Sequence, residues 1–187
     1  MPNRRKIQTK IQMKSLTHYI QEKLVIKKSN YNYFPETKKE LKTIIKQRIK
    51  EEGNEVDLND IDVSNITDMS DLFEDSLNFN GDISAWNVSN VTNMYGMFYE
   101  CESFNQDIST WDVGNVKYMY SMFCGCKSFN QDISEWDVSN VINMYNMFNG
   151  CVKFNQDISN LDVSSVKNSF DMFVGCPIEE KYKPKFK

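Results

Sequence analysis

A 25-residue period runs through the second half of the chain and constrains its fold more than any other feature. From Phe79 the lines FNGDISAWNVSNVTNMYGMFYECES, FNQDISTWDVGNVKYMYSMFCGCKS and FNQDISEWDVSNVINMYNMFNGCVK superpose letter on letter, and a weaker line, FNQDISNLDVSSVKNSFDMFVGCPI, follows. A degraded copy precedes them, with Asp57, Leu58, Ile61, Val63, Ile66, Met69, Leu72 and Phe73 each 25 residues ahead of their counterparts. A unit this short cannot bury its apolar face alone, so fixed-period similarity predicts a solenoid in which each repeat leans on its neighbours.

The positions that do not vary are apolar. In the second full copy they are Phe104, Ile108, Trp111, Val113, Val116, Met119, Met122, Phe123 and Cys126. Val116, Met119, Phe123 and Cys126 fall at i, i+3, i+7 and i+10, the stripe of a short helix, with Asn115 placed as N-cap and Gly125 as a left-handed C-terminal residue. Asp107-Ile108-Ser109 and Trp111-Asp112-Val113 alternate like strand segments. The expectation is an α/β repeat solenoid, each coil a short parallel strand plus a short helix, its ladder about 24 Å long at 4.8 Å per rung.

Around the array, residues 1–14 read as a flexible leader and 15–53 as a helical N-terminal cap. Residues 54–176 hold about five repeats, and 177–187 form a tail. Ser15 to Lys28 carries an amphipathic pattern, while Thr37-Lys38-Lys39-Glu40 is a capping box opening a helix that runs to Gly53-Asn54. The Lys- and Pro-bearing tail is a poor sequence for further stacking, so it reads as a terminator.

The net charge of -4 conceals an asymmetry. Residues 1–52 hold 14 Lys/Arg against 5 Asp/Glu, residues 53–176 hold 4 against 19, and the tail 4 against 2. An acidic repeat array argues against nucleic acid as its ligand, because phosphate contacts need local cations. No run of apolar residues is long enough to span a membrane, and no apolar segment follows the basic N-terminus as a secretory signal would require. That reading leaves the location open among the cytoplasm, a phage or virus particle, and a fragment whose signal has been removed.

The lines FNQDISxWDVSNVxNMxxMFxxC closely resemble the 25-residue BspA-like repeat of the DUF285 family, over roughly residues 54–176. The resemblance implies a right-handed solenoid related to leucine-rich repeats, used for binding or adhesion at a cell surface, with no catalytic chemistry and no transferable site residue.

Cys101, Cys126, Cys151 and Cys176 recur once per repeat, with Cys124 extra. A column of four spans about 14 Å, too far for one zinc, and side chains pointing the same way do not favour disulfides. They read as small buried residues closing the apolar stripe, with Cys124 the more accessible thiol. Two acidic columns, Asp82/Asp107/Asp132/Asp157 and Asp62/Asp112/Asp137/Asp162 with Asn87 interposed, suit either calcium or turn amides. The glycine-rich calcium turn is missing, which favours the amides. The single histidine, His18, lies outside the array, and no phosphate loop, HExxH or CxxC pair occurs, so no enzyme, cofactor or metal is expected.

What remains is surface. Four columns vary between repeats: Ala85/Thr110/Glu135/Asn160, Thr92/Lys117/Ile142/Lys167, Gly96/Ser121/Asn146/Asp171 and Tyr99/Cys124/Asn149/Val174. Positions that packing does not fix are expected to face solvent. Beside them runs an aromatic column, Tyr95, Tyr120, Tyr145 and Phe170, which either edges the core or forms a contact surface. The candidate binding residues are Tyr95, Tyr120, Tyr145, Phe170, Lys117 and Asn146. The partner class is protein; the alternatives are an adhesin for a host protein or glycan, and a structural component that self-associates through its ends.

Overall fold

A computed structural model describes residues 31–186, nearly all within one of the two units into which the chain divides, Tyr33–Lys187. The leader, the amphipathic pattern at Ser15 to Lys28 and His18 lie outside the described residues.

The expected α/β solenoid of strand-plus-helix coils does not form. Among the described residues there is one α-helix, in the cap, and no strand, only isolated parallel bridges. Most of the backbone is a succession of turns. The bridges Asp68↔Asn93, Asn93↔Tyr118, Tyr118↔Asn143 and Asn143↔Asn168 nevertheless step by 25, so each repeat pairs in register with the next.

The reason no helix forms lies in where the amides point. In the third repeat Met119, Ser121, Phe123 and Gly125 donate to carbonyls of the following repeat, at Asn143, Tyr145, Met147 and Asn149. The intervening Met122, Cys124 and Cys126 close turns onto Met119, Ser121 and Phe123. An α-helix would need every amide to bond four residues back. Two residues per repeat also adopt positive φ, four apart: Asp71 and Asp75, Gly96 and Glu100, Ser121 and Gly125, Asn146 and Gly150, Asp171 and Gly175. Left-handed residues at that spacing are incompatible with a right-handed helix but suit Gly, Asn and Asp. Asn115 is accordingly no N-cap: its Nδ2 donates 2.7 Å to the Ser89 carbonyl of the repeat below.

Side chains knit the other segments together. The Trp86, Trp111 and Trp136 indoles donate to the Leu58, Ile83 and Ile108 carbonyls below. Asn105, Asn130 and Asn155 each donate a backbone amide to the side-chain oxygen of the Asn 25 residues earlier. The repeat is thus fixed by polar groups as much as by its core, because an unpaired polar group inside the stack would be costly. The core itself is a column of parallel rings: Phe98, Phe123 and Phe148 stack at 5.6 Å, each flanked by the Phe of the FNQDIS segment at 4.0–4.3 Å.

Helix α1, Lys38–Glu52, covers the first repeat. Thr37 Oγ1 accepts from the Glu40 amide at 3.2 Å while the Glu40 carboxylate reaches back to the Glu36 amide at 2.9 Å, the capping box the sequence predicts. Leu41 and Ile45 are buried, and the buried Arg48 bonds Glu52, Asp60 and the Asp57 carbonyl, its guanidinium 5.3 Å from the Tyr33 ring. Ion pairing with Glu52 and Asp60 holds Arg48 charged. Lys38 donates to Ser70 Oγ and Lys42 to the Asp71 carbonyl.

The tail corrects its sequence reading in part. It does continue the stack, as a partial sixth turn: Ile158 donates to the Tyr182 carbonyl at 3.0 Å, and Glu179 donates to Asn155 Oδ1 at 3.0 Å. Ile178 is buried, and a short 3-10 turn at Glu180–Tyr182 ends the pairing.

Candidate functional site

The aromatic column follows directly from the turn geometry. Tyr95, Tyr120 and Tyr145 each precede a residue of positive φ whose amide points to the next repeat, and Phe170 precedes the positive-φ Asp171 of the last repeat, which leaves these rings on the outer side of the ladder. The first three are half-buried and Phe170 is 69 % exposed. Tyr95 and Tyr120 stack with centroids 3.9 Å apart at 19°, and Tyr145 and Phe170 lie 6.3 Å apart at 5°. Burial, then the Asp71 and Glu74 carboxylates, push the Tyr95 phenol above its ordinary value; burial, then Tyr95 and Asp71, do the same at Tyr120. Both hydroxyls therefore stay protonated at neutral pH and can donate.

Lys117 is exposed, as expected of a variable column. Asn146 is not the free surface position its variability suggests. It is half-buried at φ 55, and its Oδ1 accepts from Asn149 Nδ2 at 3.2 Å. In the same column Gly96 and Ser121 are buried outright. The column varies because several small residues tolerate its backbone, not because it faces solvent. Sequence reasoning also missed Tyr118, 40 % exposed, which stands where the other repeats carry Asp68, Asn93, Asn143 and Asn168. A lone aromatic among Asn and Asp was the available signal.

The acidic columns resolve into turns. Asp82, Asp107, Asp132 and Asp157 each accept the amide of the serine two residues on, at 2.9–3.1 Å, and Asp62, Asp112, Asp137 and Asp162 repeat the arrangement, with Gly114 as the donor to Asp112. No group of three or more His, Cys, Asp or Glu among the described residues is arranged to hold a metal ion. The thiols of Cys101, Cys126 and Cys151 are buried and donate to the Phe73, Phe98 and Phe123 carbonyls below at 2.9–3.0 Å. Cys124 is half-buried, its thiol raised by burial and then by Glu100.

These groups set a pH window for stability. Serine hydroxyl and amide donors hold Asp107, Asp137 and Asp157 below the usual carboxylate range, and at Asp82 the Ser84 amide is the largest cause. Depressed carboxylates contribute stability that is complete above the unfolded value near ~4 and is lost as pH falls through the folded values. Burial pushes the Cys101 thiol up to about 12 and raises Cys126 and Cys151 as well. Their contribution is complete below the unfolded value near ~8.5 and is lost as pH rises. Urea midpoints should therefore hold level between these limits and fall on both sides. A midpoint unchanged from acid to strongly alkaline pH would contradict the assignment.

A family model described as Mycoplasma protein of unknown function, DUF285, matches residues 39–133 and, in a second overlapping segment, 110–179. The chain belongs to the DUF285 family. The two segments together run from Lys39, the second residue of α1, through the five repeats, so α1 falls almost wholly inside the DUF285 match. No curated protein and no solved structure matches the chain. No helix among the described residues of this DUF285 chain is long and apolar enough to cross a membrane.

Proposed function

We propose that this DUF285 chain is a non-catalytic module that binds a protein partner through the aromatic column Tyr95, Tyr120, Tyr145 and Phe170, with Lys117 and Tyr118 beside it. The observation that carries the reading is the column itself: four rings, one per repeat, half-buried or exposed on a backbone whose every repeat is locked to the next. Rigid, partly exposed aromatics supply contact area at little entropic cost and dominate binding energy at protein interfaces.

The test is affinity capture with the purified chain beside its Tyr95→Ser/Tyr120→Ser/Tyr145→Ser variant, after circular dichroism shows that both fold. The variant should lose at least about ten-fold in affinity for a partner the wild type retains, the scale of losing an interface anchor. Undiminished binding by the folded variant would remove the column from consideration. Phe170→Ser, at an exposed ring, carries the same test if the triple variant does not fold.

A further inference from the structure

Four columns of backbone hydrogen bonds cross the stack in one direction only. Met69, Asp71, Phe73 and Asp75 donate to Asn93, Tyr95, Met97 and Tyr99 at 2.8–2.9 Å, and the register repeats up to Met144, Asn146, Phe148 and Gly150 on Asn168, Phe170, Met172 and Val174. The peptide groups involved lie head to tail, as they do along a helix, so partial positive charge collects at the last repeat and partial negative charge at the first. At the last repeat the amides of Ser169, Asp171, Phe173 and Gly175 have no acceptor among the described residues. At the first, the carbonyls of Asp68, Ser70, Leu72 and Glu74 have no donor among them.

An ordinary sheet edge alternates donors and acceptors and can pair with a copy of itself. A row of donors cannot. The complement of these four amides is a row of carbonyls at the same spacing, which is what the first repeat carries. A fifth column, Lys117 to Thr92 through Lys167 to Ile142, runs the opposite way and leaves the Lys167 carbonyl open beside them, without a donor among the described residues.

We propose that the donor row is an addition site for a second copy of this chain, docking head to tail by its first repeat, and that α1 is the plug that holds assembly back. The apolar part of the site is in place. Phe170 and Val174 are 69 % and 53 % exposed, and Phe173 stacks from below on Phe148 at 5.9 Å, with the Lys183 ammonium over its ring at 5.6 Å. Continued register would seat Phe73 of the incoming copy over Phe173 and its exposed Glu74 beside Val174, at the electropositive end of the columns. The tail pairs its backbone through Tyr182 and Glu179, on the FNQDIS side of the repeat, and leaves the four amides unbonded, while its Lys183 side chain lies over Phe173 and must swing aside for the incoming ring. Helix α1 covers the acceptor end without satisfying it. Lys38 and Lys42 bond Ser70 Oγ and the Asp71 carbonyl, and no α1 donor reaches the four carbonyls of the row. A donor row would pair what the plug only shields.

The test is sedimentation velocity of full-length variants over a range of concentrations. Wild type should sediment as a single chain. The Lys38→Glu/Lys42→Glu variant, which loosens α1 at partly exposed lysines, should form an open series whose average mass rises about three-fold per ten-fold rise in concentration, without a plateau at the dimer. Adding Val174→Glu sets a carboxylate against the incoming Glu74 and should return the series to single chains, whereas Val174→Lys should strengthen it. A loosened variant that stays a folded single chain overturns the proposal. So does a series indifferent to the charge at position 174, which would point to association through the freed helix. Leu41→Asp/Ile45→Asp, which expels α1 through its buried face, repeats the test by a second route.

Discussion

Phe123→Ala should cost about 3–5 kcal/mol, the loss expected for truncating a buried aromatic that neighbours cannot close around. The ring is fully buried in the middle repeat, 5.6 Å from both Phe98 and Phe148, 4.1 Å from Phe129 and 6.4 Å from Trp136. Phe98, Phe148 and Trp136 are held by hydrogen bonds between repeats and Phe129 by its turn onto Cys126, so none can drop into the space without breaking them. The loss falls on two interfaces at once, above and below, and in a nearest-neighbour stack the middle repeat has no substitute. Tm should fall by roughly 6–20 °C for a domain of this size. Phe173→Ala supplies the comparison. That ring ends the column, is half-buried and stacks on one side only, so its loss should be clearly smaller. Equal losses at the two positions would mean that the rings do not act as a column.

Much of this architecture is legible in the residues. The period and the register follow from invariant Phe, Ile, Trp, Val, Met and Cys. The capping box follows from Thr37 and Glu40, and the turn role of the Asp columns from the serine two residues on. What the residues do not separate is helix from turn. Val116, Met119, Phe123 and Cys126 show helical spacing, yet the same inward set arises when alternate amides leave for the next repeat. Apolar periodicity records which side chains face inward and is blind to where the amides point. The usable signal was polar: Asp71, Gly96, Ser121, Asn146 and Asp171, each four residues before a second residue at positive φ, nearly all types that accept left-handed backbone.

The surface was harder to read for a related reason. Variation marks exposure at Lys117 and along the column Ala85, Thr110, Glu135 and Asn160, all exposed. It fails at Asn146, where backbone conformation selects a set of small residues and packing selects within it. The tail fails differently. Its sequence shares nothing with FNQDIS, yet Tyr182 and Glu179 pair in almost the same register, because a backbone carbonyl and an amide need no particular side chain.

The distinction between turn and helix makes Gly96→Val a decisive substitution. Gly96 sits at φ +53 in the middle of the segment whose apolar spacing suggests a helix, and an added Cβ there would meet the Asp71 carboxylate at 2.5 Å. In a helix interior, replacing Gly by Val is neutral or favourable by a few tenths of a kcal/mol, about the difference in their propensities. Here a β-branched residue must take a left-handed conformation and displace a partly buried carboxylate, at a cost of about 2–3 kcal/mol. The sign of the change therefore separates the two backbones. Gly114→Ser is the matched control: its φ is not in the left-handed region, and the corresponding Ser89 and Ser139 donate their hydroxyls to Asn87 and Asp137 at 2.7 and 2.6 Å. Serine at 114 should do the same to Asp112 and add about 0.5–1 kcal/mol. Urea denaturation of the two variants beside wild type decides the matter: opposite shifts identify the turn ladder, while a Gly96→Val chain as stable as wild type would return the segment to a helix.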